Sequence, residues 1–320
     1  MFKWMALLAT VLTWPLISFG AFVRLKGAGL ACPDWPLCYG KILPPPGFEI
    51  ALEVGHRFVA TVLGVSIIAL VFIAYRHARY HAYRTLTMVS LLLVIIQGIL
   101  GGLTVLMRLW PPTVIFHLIG GNLLFGLLVY LTYWGFREEA HADSLPTLHR
   151  LSRFSKWQGG MLVLFFVMIF SGGWNSSTYS GYACEAFPGC HAESWLSFSA
   201  TSFREEVAAS VVPEELEGQF LPKYQHEWIH MLHRLIAVAG TVVLLVLSWR
   251  LLYQQEHPTY RKIAVSLWLL LLIEIVVGIT NAIYRIPVPV SALHTAIAAT
   301  IVGLLSYSFA KSIHEMSLNR

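Results

Sequence analysis

One pattern occurs twice in this chain, and each occurrence places histidines near the start of an apolar segment. His56-Arg57 recurs 177 positions on as His233-Arg234, and His117 recurs at the same offset as His294. Gly101, followed by Gly102-Leu103-Thr104, is answered by Gly278 with Ile279-Thr280. Upstream, Gly29-Leu30-Ala31-Cys32 with Cys38 reappears as Gly181-Tyr182-Ala183-Cys184 with Cys190. A repeat of this length in so apolar a chain predicts two similar helix bundles, each holding a ligand.

Membrane residence follows from the interior such a chain would need. It is 57% hydrophobic and 12% charged, with a mean hydropathy of +0.65. A soluble fold of 320 residues has too little interior to hide that surface. Eight stretches have spanning length, approximately Trp4 to Val23, Val54 to Ala74, Leu86 to Leu106, Thr113 to Trp134, Trp157 to Trp174, His230 to Trp249, Ala264 to Ile283 and Val290 to Ala310. Basic residues such as Arg76, Arg79, Arg84, Arg137, Arg150, Arg153, Arg261 and Lys262 gather in the connections of one side. That bias predicts a cell-membrane protein with both termini cytoplasmic and two long loops, Arg24 to Glu53 and Asn175 to Ile229, facing outward.

The net charge of +5 lies in those clusters and suits anionic headgroups, so no nucleic-acid partner is expected. Phe22-Val23-Arg24 lacks a small-residue cleavage pattern, so the first apolar run is read as a retained helix. The expected fold is an all-α membrane protein of eight transmembrane helices. They form two similar four-helix bundles related by a pseudo-twofold axis along the membrane normal. Residues 1–134 make the N-terminal half, 135–156 a cytoplasmic linker and 157–320 the C-terminal half. The acidic insert 194–218 is expected to hold a short amphipathic helix.

All four cysteines fall in the outward loops, where disulfides persist. Pairing Cys32 with Cys38 and Cys184 with Cys190 closes the shortest loops, although the sequence admits three connectivities. Each pair reads either as a loop staple or as a redox-active couple that accepts electrons during turnover.

His56, His117, His233 and His294 open the even-numbered spans, which enter from the outer side. Their imidazoles are therefore expected at one depth, within about two turns of the outer boundary. A single intramembrane histidine is as readily a helix–helix hydrogen bond. Two matched pairs on facing helices point instead to bis-imidazole heme ligation. Zinc or copper would call for a carboxylate cluster or thiolate set beside them. Gly98, Gly101, Gly102, Gly120, Gly121, Gly278 and Ala298 are candidates for admitting a flat macrocycle, and Arg57 and Arg234 for pairing with its propionates. His191 and His226 are assigned to the outer loop.

The halves differ at one place. Glu53 lies one helical turn before His56, whereas the matching position before His233 is His230. A carboxylate beside a bound macrocycle can act as a base or stabilise a developing cation. The plainer reading is an acid at a helix N-terminus. The asymmetry assigns the working role to the N-terminal half.

Glu53-Val54-Gly55-His56-Arg57 resembles the E-x-x-H-R element of heme A synthases. The run from Leu30 to Gly40 (Leu-Ala-Cys-Pro-Asp-Trp-Pro-Leu-Cys-Tyr-Gly) is similar to their first outer loop, and that from His226 to Arg234 to the start of their sixth helix. The resemblance covers essentially the whole chain. It implies an oxidoreductase that converts heme O to heme A for terminal oxidases, taking the C8 methyl to a formyl group by successive hydroxylations. It further implies a resident heme b on His233 and His294, substrate heme O on His56 and His117, Glu53 as the catalytic residue, and Cys32 with Cys38 as the outer thiol pair. His230 departs from some relatives and competes with His233 as a ligand. The implied partners are the bilayer, the farnesyl-adding heme O synthase and an electron acceptor, with room for a homo-oligomer. Without the resemblance, the residues also suit a bis-histidine heme b cytochrome passing electrons from quinol to an outer acceptor, a heme transporter or a thiol oxidase. The cytochrome needs neither Glu53 nor the asymmetry between the halves.

Overall fold

A computed structural model describes residues 1–137, 152–196, 222–253 and 258–318. Eight long helices dominate them: α1 (Phe2–Leu25), α2 (Phe48–Arg76), α3 (Arg84–Leu106), α4 (Pro111–Gly135), α5 (Arg153–Ser177), α6 (Lys223–Trp249), α7 (Pro258–Ile283) and α8 (Val288–Leu318). Each is long and apolar enough to cross a membrane. The protein is a multi-pass membrane protein of the all-α class, as expected where hydrocarbon offers the backbone no other hydrogen-bond partner. Local chemistry sets some starts. Prolines open α4, where a missing N–H costs nothing. Ser152 caps α5, its Oγ accepting the N–H of Ser155 at 3.0 Å.

The helices are apolar on the outside. Phe72 of α2, Leu92 of α3, Val246 of α6 and Leu269 of α7 are all exposed, as side chains facing lipid must be. Polar groups turn inward and join helices: Thr10 to Thr132 at 2.9 Å, Ser248 to Trp268 at 2.7 Å, and Ser308 to Gln158 at 3.0 Å.

Helices α1 to α4 pack in a closed ring, and α5 to α8 pack in a second. Between the rings α4 meets α8, α1 meets α8, and α4 meets α5. Exchanging the halves turns the α1–α8 contact into α5–α4 and leaves α4–α8 unchanged, so the pseudo-twofold runs through the α4–α8 crossing. Side chains there obey it. Gly126 faces Val302 and Ser306, while Gly303, its repeat partner, faces Phe125 and Val129. A Cβ on Gly126 would stand 2.7 Å from Ser306 Oγ, so the small residue lets the facing helix come close.

Helices α2, α6 and α7 begin about two turns earlier than the apolar runs indicate. Hydropathy marks only the part that needs hydrocarbon, and the added turns carry Glu49, His226, Glu227, Arg261 and Lys262. His226, assigned to the outer loop from sequence, is therefore buried in the first turn of α6. The amphipathic helix expected over 194–218 lies outside the described residues beyond 196, as does most of the linker, 138–151.

Candidate functional site

Both disulfide loops sit at the end of the bundle where the even-numbered helices begin. The four imidazoles follow within about three turns of those starts. Each ring rests on a glycine of the preceding helix: His56 on Gly20, His117 on Gly101, His233 on Gly172 and His294 on Gly278. A Cβ on Gly20 would come within 2.9 Å of His56 Cε1, so the imidazole occupies the space a side chain would fill. His56 and His117 lie within electrostatic reach of each other, and so do His233 and His294. The expected pairs are brought together, one in each ring.

Gly102 seats Trp35 of the first loop, Gly120 and Gly121 pack against Gln97, and Gly98 faces open space. Sequence reasoning missed Gly20 and Gly172, although they stand at the same 152-residue offset as the two cysteine loops. Leu118, next to His117, packs on Gly173, next to Gly172; a Cβ there would lie 3.0 Å from its Cδ2.

In the C-terminal half the ligand candidates are oriented from behind. The Ser171 hydroxyl donates to the carbonyl of Met168 at 2.8 Å, so its oxygen accepts from His233 Nδ1 at 2.9 Å. Glu274 Oε1 lies 3.2 Å from His294 Nδ1. The serine contact fixes the Nδ1–H tautomer of His233 and leaves its Nε2 with a lone pair, whereas Glu274 stands beside His294 Nδ1 as an anion at ion-pair distance, without a hydrogen bond. In the N-terminal half, Nδ1 of His56 and of His117 is buried with no partner among the described residues. Phe19, at the place matching Ser171, stands with its ring 6.0 Å from that of His56. Gln97 matches Glu274, and its amide is also unpartnered among the described residues. Sequence reasoning missed Glu274 too; a lone acid inside the apolar run of α7 was its signal. Four half-buried imidazoles in opposed pairs, with Nε2 of His233 presented, are a donor set that fits porphyrin iron.

Glu53 is only 4% exposed. Its Oε1 lies 2.5 Å from Arg57 Nη2, and its Oε2 accepts the Cys32 N–H at 2.8 Å. Gly47 precedes the first turn of α2, so Glu53 is not an end cap. Arg57 Nη1 donates to the carbonyls of Asp34, Pro36 and Leu37 at 3.0, 3.3 and 2.6 Å. The second half repeats this clamp: Arg234 Nη1 donates to the carbonyls of Ala186, Pro188 and Gly189 at 3.0, 3.0 and 2.7 Å. Arg234 Nε donates to His230 Nε2 at 3.2 Å, and its buried Nη2 has no partner among the described residues. Both arginines thus hold the disulfide loops down over their helices.

Cys32 is bonded to Cys38 and Cys184 to Cys190, and all four are buried. The Asp34 carboxylate accepts from the N–H groups of Tyr39 at 2.6 Å and Gly40 at 2.7 Å. Those bonds, Gly40's foremost, hold Asp34 below the usual carboxylate range. His191 Nε2 meets Glu227 Oε1 at 3.0 Å and ties the second loop to α6. Cys190 stands beside that pair, but its sulfur belongs to the disulfide and is no metal ligand.

The family model described as cytochrome oxidase assembly protein (COX15-CtaA) matches residues 3–51 and 47–306. The heme A synthase of Shewanella oneidensis is 31% identical over 320 residues, covering 93% of this chain and 93% of that protein. That of Alkalihalophilus pseudofirmus is 31% identical over 294 residues, 90% of this chain and 89% of the relative. That of Bacillus licheniformis is 24% identical over 318 residues, 95% and 94%. With its duplicated rings, paired imidazoles and full-length match, the chain belongs to the COX15-CtaA family of cytochrome oxidase assembly proteins.

Proposed function

We propose that this protein is a heme A synthase, a membrane oxidoreductase that converts heme O to heme A by oxidising the C8 methyl to a formyl group. The observation that carries this reading is asymmetry in a duplicated frame. Two imidazole pairs rest on matched glycines, yet a buried, charge-paired carboxylate stands beside one and a histidine beside the other. An electron carrier needs the pairs and has no use for the carboxylate. Relatives that bear the heme A synthase name over their whole length support the same activity.

Residues 1–134 form the substrate half, in which His56 and His117 take heme O. Residues 157–320 form the half in which His233 and His294 hold a resident heme b, and 135–156 join the two. Heme b, when bound, supplies an electron acceptor close to the substrate. His233 is favoured over His230 as its ligand because His230 Nε2 already accepts from Arg234. Arg234, with Nη2 free of partners among the described residues, suits a propionate better than Arg57, whose Nη2 is held by Glu53.

Glu53 is fixed by Arg57 and by the Cys32 N–H, one turn before His56. From there its carboxylate takes up protons released as the methyl is oxidised and offsets positive charge developing at that carbon. The first loop, with Trp35 on Gly102 and its disulfide buried, covers this site and keeps water from it. Buried disulfides support the staple reading for both cysteine pairs. The distribution of Lys and Arg supports both termini at the cytoplasmic face of the cell membrane and the disulfide loops at the outer face. Heme O would arrive from the farnesyl-adding heme O synthase, and electrons would leave to an acceptor at the membrane.

The test is co-expression with a heme O source, followed by extraction and chromatography of the hemes. Wild-type protein should yield heme A. Glu53→Gln keeps an acceptor for the Cys32 N–H, so it should bind heme yet form heme A at least about 100-fold more slowly. Undiminished conversion removes Glu53 from the chemistry, and no heme A from the wild type removes the function.

A further inference from the structure

The two halves share a backbone plan and differ in what stands behind their histidines. His233 Nδ1 meets a serine hydroxyl whose own proton is committed to Met168, and His294 Nδ1 meets the carboxylate of Glu274. At the repeat-related places the N-terminal half has Phe19 and Gln97, whose side chains offer Nδ1 of His56 and His117 neither a hydroxyl nor a carboxylate. Oriented imidazoles whose other nitrogen donates to a carboxylate bind metal more tightly and place more charge on it.

We infer that Glu274 and Ser171 are positioning residues that make the C-terminal half retain its heme, while Phe19 and Gln97 leave the N-terminal pair able to release. A synthase needs this difference, because its cofactor must stay and its product must leave from the same scaffold. The carboxylate-to-amide exchange between Glu274 and Gln97 runs opposite to the acid-to-imidazole exchange between Glu53 and His230. The two acids thus stand at different places of the repeat: Glu53 faces the bound substrate, and Glu274 backs the ligand.

The inference rests on His233 and His294 as heme ligands, so the experiment separates the two. Purified holoprotein is compared with Glu274→Gln, Glu274→Leu, Gln97→Glu and His294→Ala by redox titration, by absorption spectrum and by heme transfer to excess apomyoglobin. Glu274→Gln keeps an acceptor for Nδ1–H without the charge. It should retain its heme and raise the midpoint potential, because the ferric state loses a stabilising anion. Glu274→Leu should also lose heme to apomyoglobin about 10- to 100-fold faster than wild type. Gln97→Glu should act in reverse and raise the heme content of the purified protein. Wild-type potential and transfer rate in both Glu274 variants would overturn the positioning role while leaving the ligands intact. A bis-imidazole spectrum surviving in His294→Ala would instead overturn the ligand assignment, and the inference with it.

Discussion

At the residue scale, roles are set by which nitrogen or oxygen of a side chain is already engaged. His230 and His233 lie one turn apart on α6, and in the sequence His230 competes with the repeat-matched His233. Their hydrogen bonds separate them: Nε2 of His230 accepts from Arg234, whereas His233 has only Nδ1 engaged, by Ser171. His230→Ala should therefore leave the bis-imidazole absorption of the resident heme in place, and disappearance of that absorption would make His230 the ligand. The four histidines, Glu53 and the cysteines were legible because they repeat or break a repeat. Glu274 and Ser171 were not. A single carboxylate in an apolar run declares a function without naming its partner, and a serine in a membrane helix is too common to mark one.

At the scale of elements, the first disulfide loop is a small structure with its own stabilising centre. Asp34, inside the ring closed by Cys32 and Cys38, accepts the N–H groups of Tyr39 and Gly40 just beyond it, and Arg57 gathers three carbonyls of the ring. The Asp34 carboxyl is held below its ordinary value, so its contribution is fully present above that value. It is lost as pH falls through the lowered one. Asp34→Ala should accordingly make the disulfide more easily reduced at neutral pH, read as faster thiol labelling of Cys32 and Cys38 under mild reductant. In acid the wild type should approach the variant. Cores of the eight helices were legible from hydropathy, but the starts of α2, α6 and α7 were not. The turns beyond the hydrocarbon are held by loop contacts such as His191 with Glu227, which leave no apolar trace.

At the scale of the whole molecule, the two rings meet about the α4–α8 crossing, where glycine admits the facing helix. A Cβ on Gly303 would stand 3.0 Å from the Phe125 ring, so Gly303→Val should cost about 1–3 kcal/mol and lower the melting temperature in detergent. An unchanged melting curve would show that the crossing tolerates bulk. The duplication was plain in the sequence, but the division of labour between halves was not, because it resides in side chains behind the repeated ones. The contact of Leu118 with Gly173 carries a further consequence. It joins the residue after His117 to the residue after Gly172, the seat of His233, so the two halves touch one position away from a histidine on each side. A side chain added at Gly173 would press on Leu118, and through it on the helix that carries His117.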